Sequence, residues 1–190
     1  MINNKGLKQI FESNGCDKAQ HGFATTYQLL SYFKEPGRIL EIGVLEGASV
    51  RSWHEYFTDA YIVGVDINSK RNVVLPEDRC EFIVGDANKI EIPGFYDWII
   101  DDGSHKAIDV KESFLKYWPK LNPKGWYIIE DVHCAFKEYY PDYGGWAEWV
   151  FNLIAINLHQ LGENEKLNEK DLPQFGLVIQ DKSIIAIQKR

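Results

Sequence analysis

The stretch "RILEIGVLEGAS", residues 38 to 49, joins an apolar run to a helical pattern through two glycines spaced GxxxG. We interpret 38–44 as a β-strand and 47–57 as a helix, because Val50 and Trp53 begin a helical spacing of apolar residues. A glycine turn lets the backbone approach a ligand closely, and the start of a helix presents free N–H groups. This stretch therefore predicts an α/β fold with a ligand-binding turn.

Short apolar runs alternate with helical segments after this stretch, which is typical of a mostly parallel sheet with crossover helices. The helix predicted over 106–118 ends before Pro119, whose ring cannot continue it. Asp181 and Lys182 join the last two apolar runs, which predicts a terminal antiparallel hairpin. We expect a seven-stranded sheet with strands at 38–44, 60–67, 80–86, 96–101, 125–131, 175–180 and 183–189.

The chain has 190 residues, which is enough for one domain with a sizeable core. We predict a single domain over 1–190, with an N-terminal cap and helix at 1–36 and a Rossmann-like core at 37–190. The aromatic segment 132–145 has no clean period and is interpreted as a long ordered loop, a type that is often functional. A further helix is predicted from the spacing of Trp146, Trp149, Val150, Leu153, Ile154 and Asn157.

The amino-acid composition limits the kinds of molecule that this protein is expected to bind. The net charge of -7 argues against a general nucleic-acid or anionic-membrane surface, since both need a concentrated basic face. Cys16, Cys80 and Cys134 lack CxxC spacing, so neither a disulfide framework nor a zinc site is indicated, and a reducing cytoplasm fits. No apolar run reaches the length of a membrane span. A small molecule is therefore the expected partner.

Acidic residues follow the second and third predicted strands. Asp66 lies 19 residues after Gly47, where doubly wound folds hydrogen-bond ribose hydroxyls, and Asp86 closes the next strand. The glycine pair alone is as compatible with a plain turn, and Asp86 alone with a turn or cap. Leu45 stands where the GxGxxG fingerprint has its close-approach glycine, and the lysine of a P-loop is missing. Together these strand ends predict a nucleoside-binding crevice.

Carboxylates also follow the fourth and fifth strands, in "IIDDGSH" and "IIEDVH". Neighbouring strand ends lie about 5 Å apart, so Asp102, Glu130 and Asp131 can converge. Their mutual repulsion is relieved by a hard divalent cation such as Mg²⁺, which prefers oxygen ligands. His105 would stand beside it as a general base, although a helix-start histidine bonded to the backbone is the alternative. Asp101 is expected on the opposite side of its strand.

The motifs "EIGVLEGAS", "GVDI" and "GDA", with the terminal hairpin, resemble the class I S-adenosylmethionine-dependent methyltransferases over residues 38–190. The resemblance implies that the glycine turn cradles the methionine part of the cofactor, that Asp66 binds the ribose, and that Asp86 with Ala87 faces the adenine. The cofactor-binding residues it implies are Glu41, Gly43, Gly47, Ser49, Asp66, Ile67, Asp86, Ala87 and Asp102.

A narrower resemblance is carried by "DDGSH" and "EDVH" followed by "YYPDYGG", and by "CDKAQHGFATTY", with Cys16 where Thr is usual. These motifs are similar to the metal-dependent sugar O-methyltransferases of the macrocin and mycinamicin type and their cephalosporin hydroxylase-like relatives. The resemblance implies Asp102, Glu130 and Asp131 as Mg²⁺ ligands and His105 as the general base, with Asp102 also catalytic. The implied reaction is O-methylation of a hydroxyl on a sugar or glycosylated metabolite.

The sequence is also compatible with other functions and with other roles for several residues. Transfer to a catechol-like phenol keeps the metal and changes only the acceptor pocket. A nucleoside- or metal-binding module without catalysis is also compatible with the fold, whereas a nicotinamide oxidoreductase lacks its middle glycine. Lys18 and His21 either close the cofactor site or lie on the surface, and a homo-oligomer is left open. The loop tyrosines, which either stack on a sugar ring or pack the loop onto the sheet, are Tyr139, Tyr140 and Tyr143.

Overall fold

A computed structural model describes residues 1–68, 73–137, 148–149, 152, 154–155 and 174–190. Its strands are β1 (Arg38–Ile42), β2 (Tyr61–Asp66), β3 (Cys80–Val84), β4 (Tyr96–Asp101), β5 (Leu121–Ile129), β6 (Phe175–Asp181) and β7 (Ile184–Lys189). Its helices are α1 (Leu7–Ser13), α2 (Ala24–Phe33), α3 (Ala48–Tyr56) and α4 (Ala107–Tyr117). Short 3₁₀ helices cover Asp17–Ala19, Trp118–Lys120 and Val132–Phe136.

The strands form one sheet in the order β3-β2-β1-β4-β5-β7-β6. Strands β1 to β5 pair in parallel, and β7 lies antiparallel between β5 and β6. Alternate residues of the central strands are buried on opposite faces, as the two-residue period of a strand requires. Ile39 packs in the hydrophobic cluster that holds α1, α2 and α3, whereas Leu40 packs in the cluster that holds α4. This arrangement confirms the predicted α/β fold with a terminal hairpin.

The order of the sheet places a topological switch between β1 and β4. Ligands of open α/β sheets bind outside the carboxyl ends of the strands at such a point. Gly43 directly follows β1 and has a φ of 84°, and a Cβ there would lie 2.1 Å from the carbonyl oxygen of Asp102. Only glycine permits this approach, so the turn after β1 and the loop after β4 are held against each other.

Several predicted boundaries were wrong. Strand β1 ends at Ile42 rather than at residue 44, because Gly43 leaves the extended conformation. Strand β5 begins at Leu121 rather than at 125, and its early part, which contains Pro123, pairs with β4 through a register shift. The strand ends at Ile129, before Glu130. Strand β2 is one residue shorter at each end than predicted, and β3 begins at Cys80 as predicted but ends at Val84 rather than at residue 86.

The hairpin turn is displaced by one residue from the prediction. Asp181 still pairs with Ile184, so the turn consists of Lys182 and Ser183 rather than Asp181 and Lys182. Helix α1 was not predicted as a separate element of the N-terminal cap. Among the described residues of the predicted helix after 146, Trp149 and Ile154 are helical. The three loop tyrosines, Trp146, Val150, Leu153 and Asn157 lie outside the described residues.

Within the described ranges, we find no helix with the length and apolar character needed to span a membrane.

Candidate functional site

A cleft of about 770 Å³ runs along the carboxyl edge of the sheet. Six of the predicted cofactor residues besides Asp102 line it: Gly43, Ser49, Asp66, Ile67, Asp86 and Ala87. Leu45 lines it as well. Both Leu45 and Ile67 are more than half exposed, and they give the cleft apolar walls near its acidic groups. Apolar walls with a few placed polar groups are the usual form of a small-molecule site.

Asp66 and Asp86 shape the part of the cleft beside β2 and β3. The Asp66 carboxylate accepts the N–H groups of Leu45 at 3.0 Å and Asn68 at 2.8 Å, and so ties the glycine turn to the end of β2. Asp86 accepts the N–H of Asn88 and pairs with Lys89, whose hydrogen bond lowers the pKa of Asp86 below its ordinary value. Both side chains lie at a wall of the cleft, where their oxygens can accept hydrogen bonds from hydroxyl and amine groups.

Glu41 and Gly47, which are also predicted to bind the cofactor, are not among the described residues that line the cleft, and their cofactor contact stays a prediction. Glu41 is fully buried and accepts hydrogen bonds from Ser49 Oγ at 2.9 Å and Trp53 Nε1 at 3.2 Å. Burial raises the pKa of Glu41 to about 7. Gly47 has a φ of 79° and forms the N-cap of α3. These two residues therefore support the turn from behind.

Asp102, His105 and Asp131 meet at the end of the cleft nearest β4 and β5. Each offers one ligand atom, and these atoms all lie within 4.8 Å of one another. Asp131 Oδ1 is buried without a hydrogen-bond partner among the described residues. His105 and Asp131 both have a left-handed backbone, with φ values of 57° and 53°. Two carboxylates and an imidazole fit a divalent cation, the more so because the carboxylate of Asp131 has this buried oxygen free of hydrogen bonds from the described residues.

Glu130, the third predicted metal ligand, lies beside this cluster with its carboxylate engaged by the N-terminal segment. Lys18 Nζ lies 2.8 Å from Glu130 and 2.6 Å from Asp102 Oδ2, and the Tyr27 hydroxyl donates to Glu130 Oε1. Burial raises the pKa of Glu130, while the charge of Lys18 opposes that shift. Lys18 is 1% exposed, so a surface role for it is excluded. His21 is exposed and packs against Phe23.

Asp101 points away from Asp102, as expected for the next residue along a strand. Its carboxylate accepts a hydrogen bond from the Tyr127 hydroxyl at 3.2 Å, and burial raises its pKa to about 7. His133 was not singled out from the sequence, although it follows Asp131 by two residues in "EDVH". Its Nδ1 lies 2.6 Å from Ser183 Oγ and 3.7 Å from Asp131 Oδ1, which brings the hairpin turn to the edge of the cluster.

Comparisons with known proteins find similarity to methyltransferases. Residues 40–132 match the family model described as a methyltransferase domain. The mycinamicin VI 2''-O-methyltransferase of Micromonospora griseorubida is 36% identical to the chain, over 67% of this chain and 35% of the relative. The demethylmacrocin O-methyltransferase of Streptomyces fradiae is 36% identical, over 66% of this chain and 34% of the relative. The chain thus spans about a third of the length of these curated relatives.

The solved structures include a close match in fold. The MycE methyltransferase of the mycinamycin biosynthetic pathway, solved in complex with Mg, SAH and mycinamycin VI, superposes with a TM-score of 0.82 at 28% identity. The match covers 97% of this chain and 53% of that one. The chain therefore matches a methyltransferase domain of the class I, Rossmann-like type, and it resembles the macrocin- and mycinamicin-type sugar O-methyltransferases.

Proposed function

We propose that the chain is an S-adenosylmethionine- and Mg²⁺-dependent O-methyltransferase whose acceptor is a hydroxyl of a sugar or glycosylated small molecule. The curated relatives that support this proposal are named as O-methyltransferases, and one of them is named for a glycosyl-bearing compound, L-olivosyl-oleandolide. The observation that carries it is the convergence of Asp102, His105 and Asp131 at one end of a cleft whose other wall holds Asp66 and Asp86.

Asp102 links the two halves of the proposed site. Its carbonyl oxygen lies against Gly43 of the cofactor turn, and its carboxylate belongs to the cation cluster. A cofactor held by the turn would therefore be close to an acceptor at the cluster. Closeness of this kind lowers the barrier to a transfer between two bound molecules, since their relative position is already fixed.

The chain's own residues supply binding and proton transfer. Asp66 and Asp86 would bind the nucleoside part of the cofactor, between the apolar walls at Leu45 and Ile67. Asp102 and Asp131 would hold the cation, with Glu130 beside them as the third ligand that the family resemblance implies.

His105 Nε2 lies 3.8 Å from Asp131 Oδ2, with 22% of the His105 side chain exposed, so an acceptor can reach it from solvent. His105 would accept the proton of the acceptor hydroxyl as a general base. When bound, the cofactor supplies the electrophilic methyl group, and the cation supplies positive charge that favours the deprotonated acceptor.

The proposal is tested first by calorimetric titration of S-adenosylhomocysteine into the protein, with Mg²⁺ present and after chelation. We expect saturable binding at one site. Methyl transfer from S-adenosylmethionine is then measured on a panel of glycosides and, in parallel, on simple catechols. Transfer to glycosides that stops on chelation supports the proposal, whereas transfer to catechols alone supports the phenolic alternative. Tight cofactor binding without any transfer favours a binding module.

The base is tested by His105→Ala, with His54→Ala as the matched control. His54 lies on α3 beside Asp78 and Arg79 and does not line the cleft. We expect His105→Ala to lower turnover by about 10²- to 10⁴-fold, the contribution of a positioned base, with S-adenosylhomocysteine affinity nearly unchanged. His54→Ala keeps its turnover. Equal turnover in both variants removes His105 from the mechanism, and activity that resists chelation removes the cation.

A further inference from the structure

Lys18 is a buried cation that reaches the strand ends from the N-terminal segment. Its side chain is 2% exposed, and its Nζ lies 2.6 Å from Asp102, 2.8 Å from Glu130 and 3.6 Å from Glu41. These contacts join residues that are 84 and 112 positions apart in the chain. A lysine is rarely buried to this degree unless it is paired, so the three carboxylates account for its position.

Tyr27 holds the same cluster from a second direction. Its hydroxyl donates to Glu130 Oε1, while its ring packs against Trp53 and Trp98 in the core. Glu130 thus receives one neutral and one charged donor, both from the segment that precedes β1. The orientation of this carboxylate is therefore set outside the Rossmann-like core.

The charges of the cluster do not balance. One ammonium faces the carboxylates of Glu41, Asp102 and Glu130, and Glu41 Oε1 has no hydrogen-bond partner among the described residues. Asp131 lies next to this group, and its Oδ1 is likewise buried without a hydrogen-bond partner in the part of the chain that the structure describes. Without Lys18 the side chains of Asp102 and Glu130 would repel each other where they need to lie side by side.

We propose that Lys18 is a positioning residue of the cation site, whose ammonium holds Asp102 and Glu130 together so that Asp102 meets His105 and Asp131. This inference rests on the proposed function, and it adds the N-terminal segment to the site. Lys18 does not touch the reacting groups and acts through Asp102 and Glu130. Residues that orient metal ligands in this way typically contribute about 10- to 100-fold to metal affinity.

The test measures Mn²⁺ binding by the loss of the free-ion electron paramagnetic resonance signal, and S-adenosylhomocysteine binding by calorimetry. Lys18→Met is expected to weaken Mn²⁺ binding by about 10- to 100-fold while cofactor affinity changes little. Lys18→Arg keeps the positive charge and recovers part of the Mn²⁺ affinity. Leu7→Ala, which opens a cavity in the same N-terminal layer, is the control for lost stability and keeps its Mn²⁺ affinity.

A charge-balanced variant covers the case in which Lys18→Met does not fold. Lys18→Met with Glu41→Gln removes one charge of each sign and still lacks the contacts to Asp102 and Glu130. It is compared with the single variant Glu41→Gln. We expect the double variant to bind Mn²⁺ about 10- to 100-fold more weakly than Glu41→Gln, as Lys18→Met does relative to the wild type. This inference is overturned, and the proposed function is left standing, if folded Lys18→Met binds Mn²⁺ as tightly as the wild type or if the double variant binds it as tightly as Glu41→Gln. A wild-type protein that binds no Mn²⁺ overturns the cation site and the inference together, and failure to bind S-adenosylhomocysteine overturns the methyltransferase proposal separately.

Discussion

The two ends of strand β4 carry the same kind of side chain in different surroundings. At its amino end, the Asp97 carboxylate accepts the N–H groups of Gly37 at 2.8 Å and Arg38 at 3.1 Å. It also accepts the Asn122 side-chain amide at 3.1 Å, and Lys34 lies 3.4 Å away. Every one of these contacts is supplied by the protein itself, so Asp97 has the environment of a structural carboxylate.

At the carboxyl end, carboxylates outnumber the cations that meet them. Asp102, Glu130 and Glu41 share the ammonium of Lys18, and a buried oxygen of Asp131 accepts no hydrogen bond in the described part of the chain. Such an excess is costly unless a ligand completes it. The hydrogen-bonding capacity of an aspartate is thus filled at one end of β4 and left incomplete at the other, and the incomplete end is where we propose that the cation and the acceptor bind.

The largest expected effect separates the two ends through Asp102→Asn and Asp97→Asn. Asp102→Asn should lower methyl transfer by about 100-fold or more, because it weakens a proposed metal ligand. Asp97→Asn should keep turnover per folded molecule and lose about 1–3 kcal/mol of unfolding free energy, since several donors lose a charged partner. Initial rates and urea unfolding of both variants check this pair. Similar activity losses in the two variants would erase the distinction between the ends.

The pH dependence of stability sharpens the same comparison. Burial alone would raise the pKa of Asp97, but hydrogen bonds from Asn122 and Gly37 and the charge of Lys34 outweigh it, and the pKa lies below its ordinary value. A depressed folded pKa adds stability above the unfolded pKa, and that stability is lost as the pH falls through the folded pKa.

The stability gap between wild type and Asp97→Asn should therefore be full near neutral pH and shrink below about pH 4, the ordinary range of an aspartate. Urea unfolding of both proteins from pH 7 to pH 3 measures it. A gap that stays constant over this range would mean that the Asp97 charge contributes nothing.

Local patterns were sufficient to predict most of the fold. The apolar runs and the helical spacing gave the strands, α3, α4 and the hairpin, because these elements follow from burial along a regular period. The ends of β1 and β5 were missed because a left-handed glycine and a register shift, both tertiary features, decide them. Asp102, His105 and Asp131 were predictable because strand ends in a parallel sheet meet at one edge.

Lys18 could not be assigned from its neighbours in sequence. A lysine in "CDKAQHG" carries no local sign of burial, and its three acidic partners lie in distant segments. The indirect position of Glu41 was missed for a related reason, since its contacts with Ser49 and Trp53 depend on how α3 packs on β1. Motif resemblance identified which residues belong to the region, whereas packing decides which of them reach the cleft.

The smallest expected effect concerns how the incomplete end is held in place. The loop that carries Asp131 is tied to the hairpin turn by Ser183, whose carbonyl accepts the Val132 N–H at 3.0 Å. Ser183 Oγ accepts the His133 N–H at 3.1 Å and contacts His133 Nδ1 at 2.6 Å. Asp97 needs no comparable support, since its hydrogen-bond partners Arg38 and Asn122 belong to β1 and β5, and Gly37 directly precedes β1.

Ser183→Ala keeps the backbone contact and removes only the hydroxyl. We expect a loss of about 0.5–1.5 kcal/mol of unfolding free energy, the usual net value of a hydrogen bond. Mn²⁺ affinity should fall only severalfold, well short of the 10- to 100-fold expected for Lys18→Met, because Asp131 keeps its place in the loop and loses part of its support. Ser31→Ala, which removes a hydroxyl bonded within α2 to the Gln28 carbonyl, is the matched control and leaves Mn²⁺ affinity unchanged. If both serine variants bind Mn²⁺ as the wild type does, the hairpin stabilises the sheet without orienting Asp131, and the orientation of the site rests on the N-terminal segment through Lys18 and Tyr27.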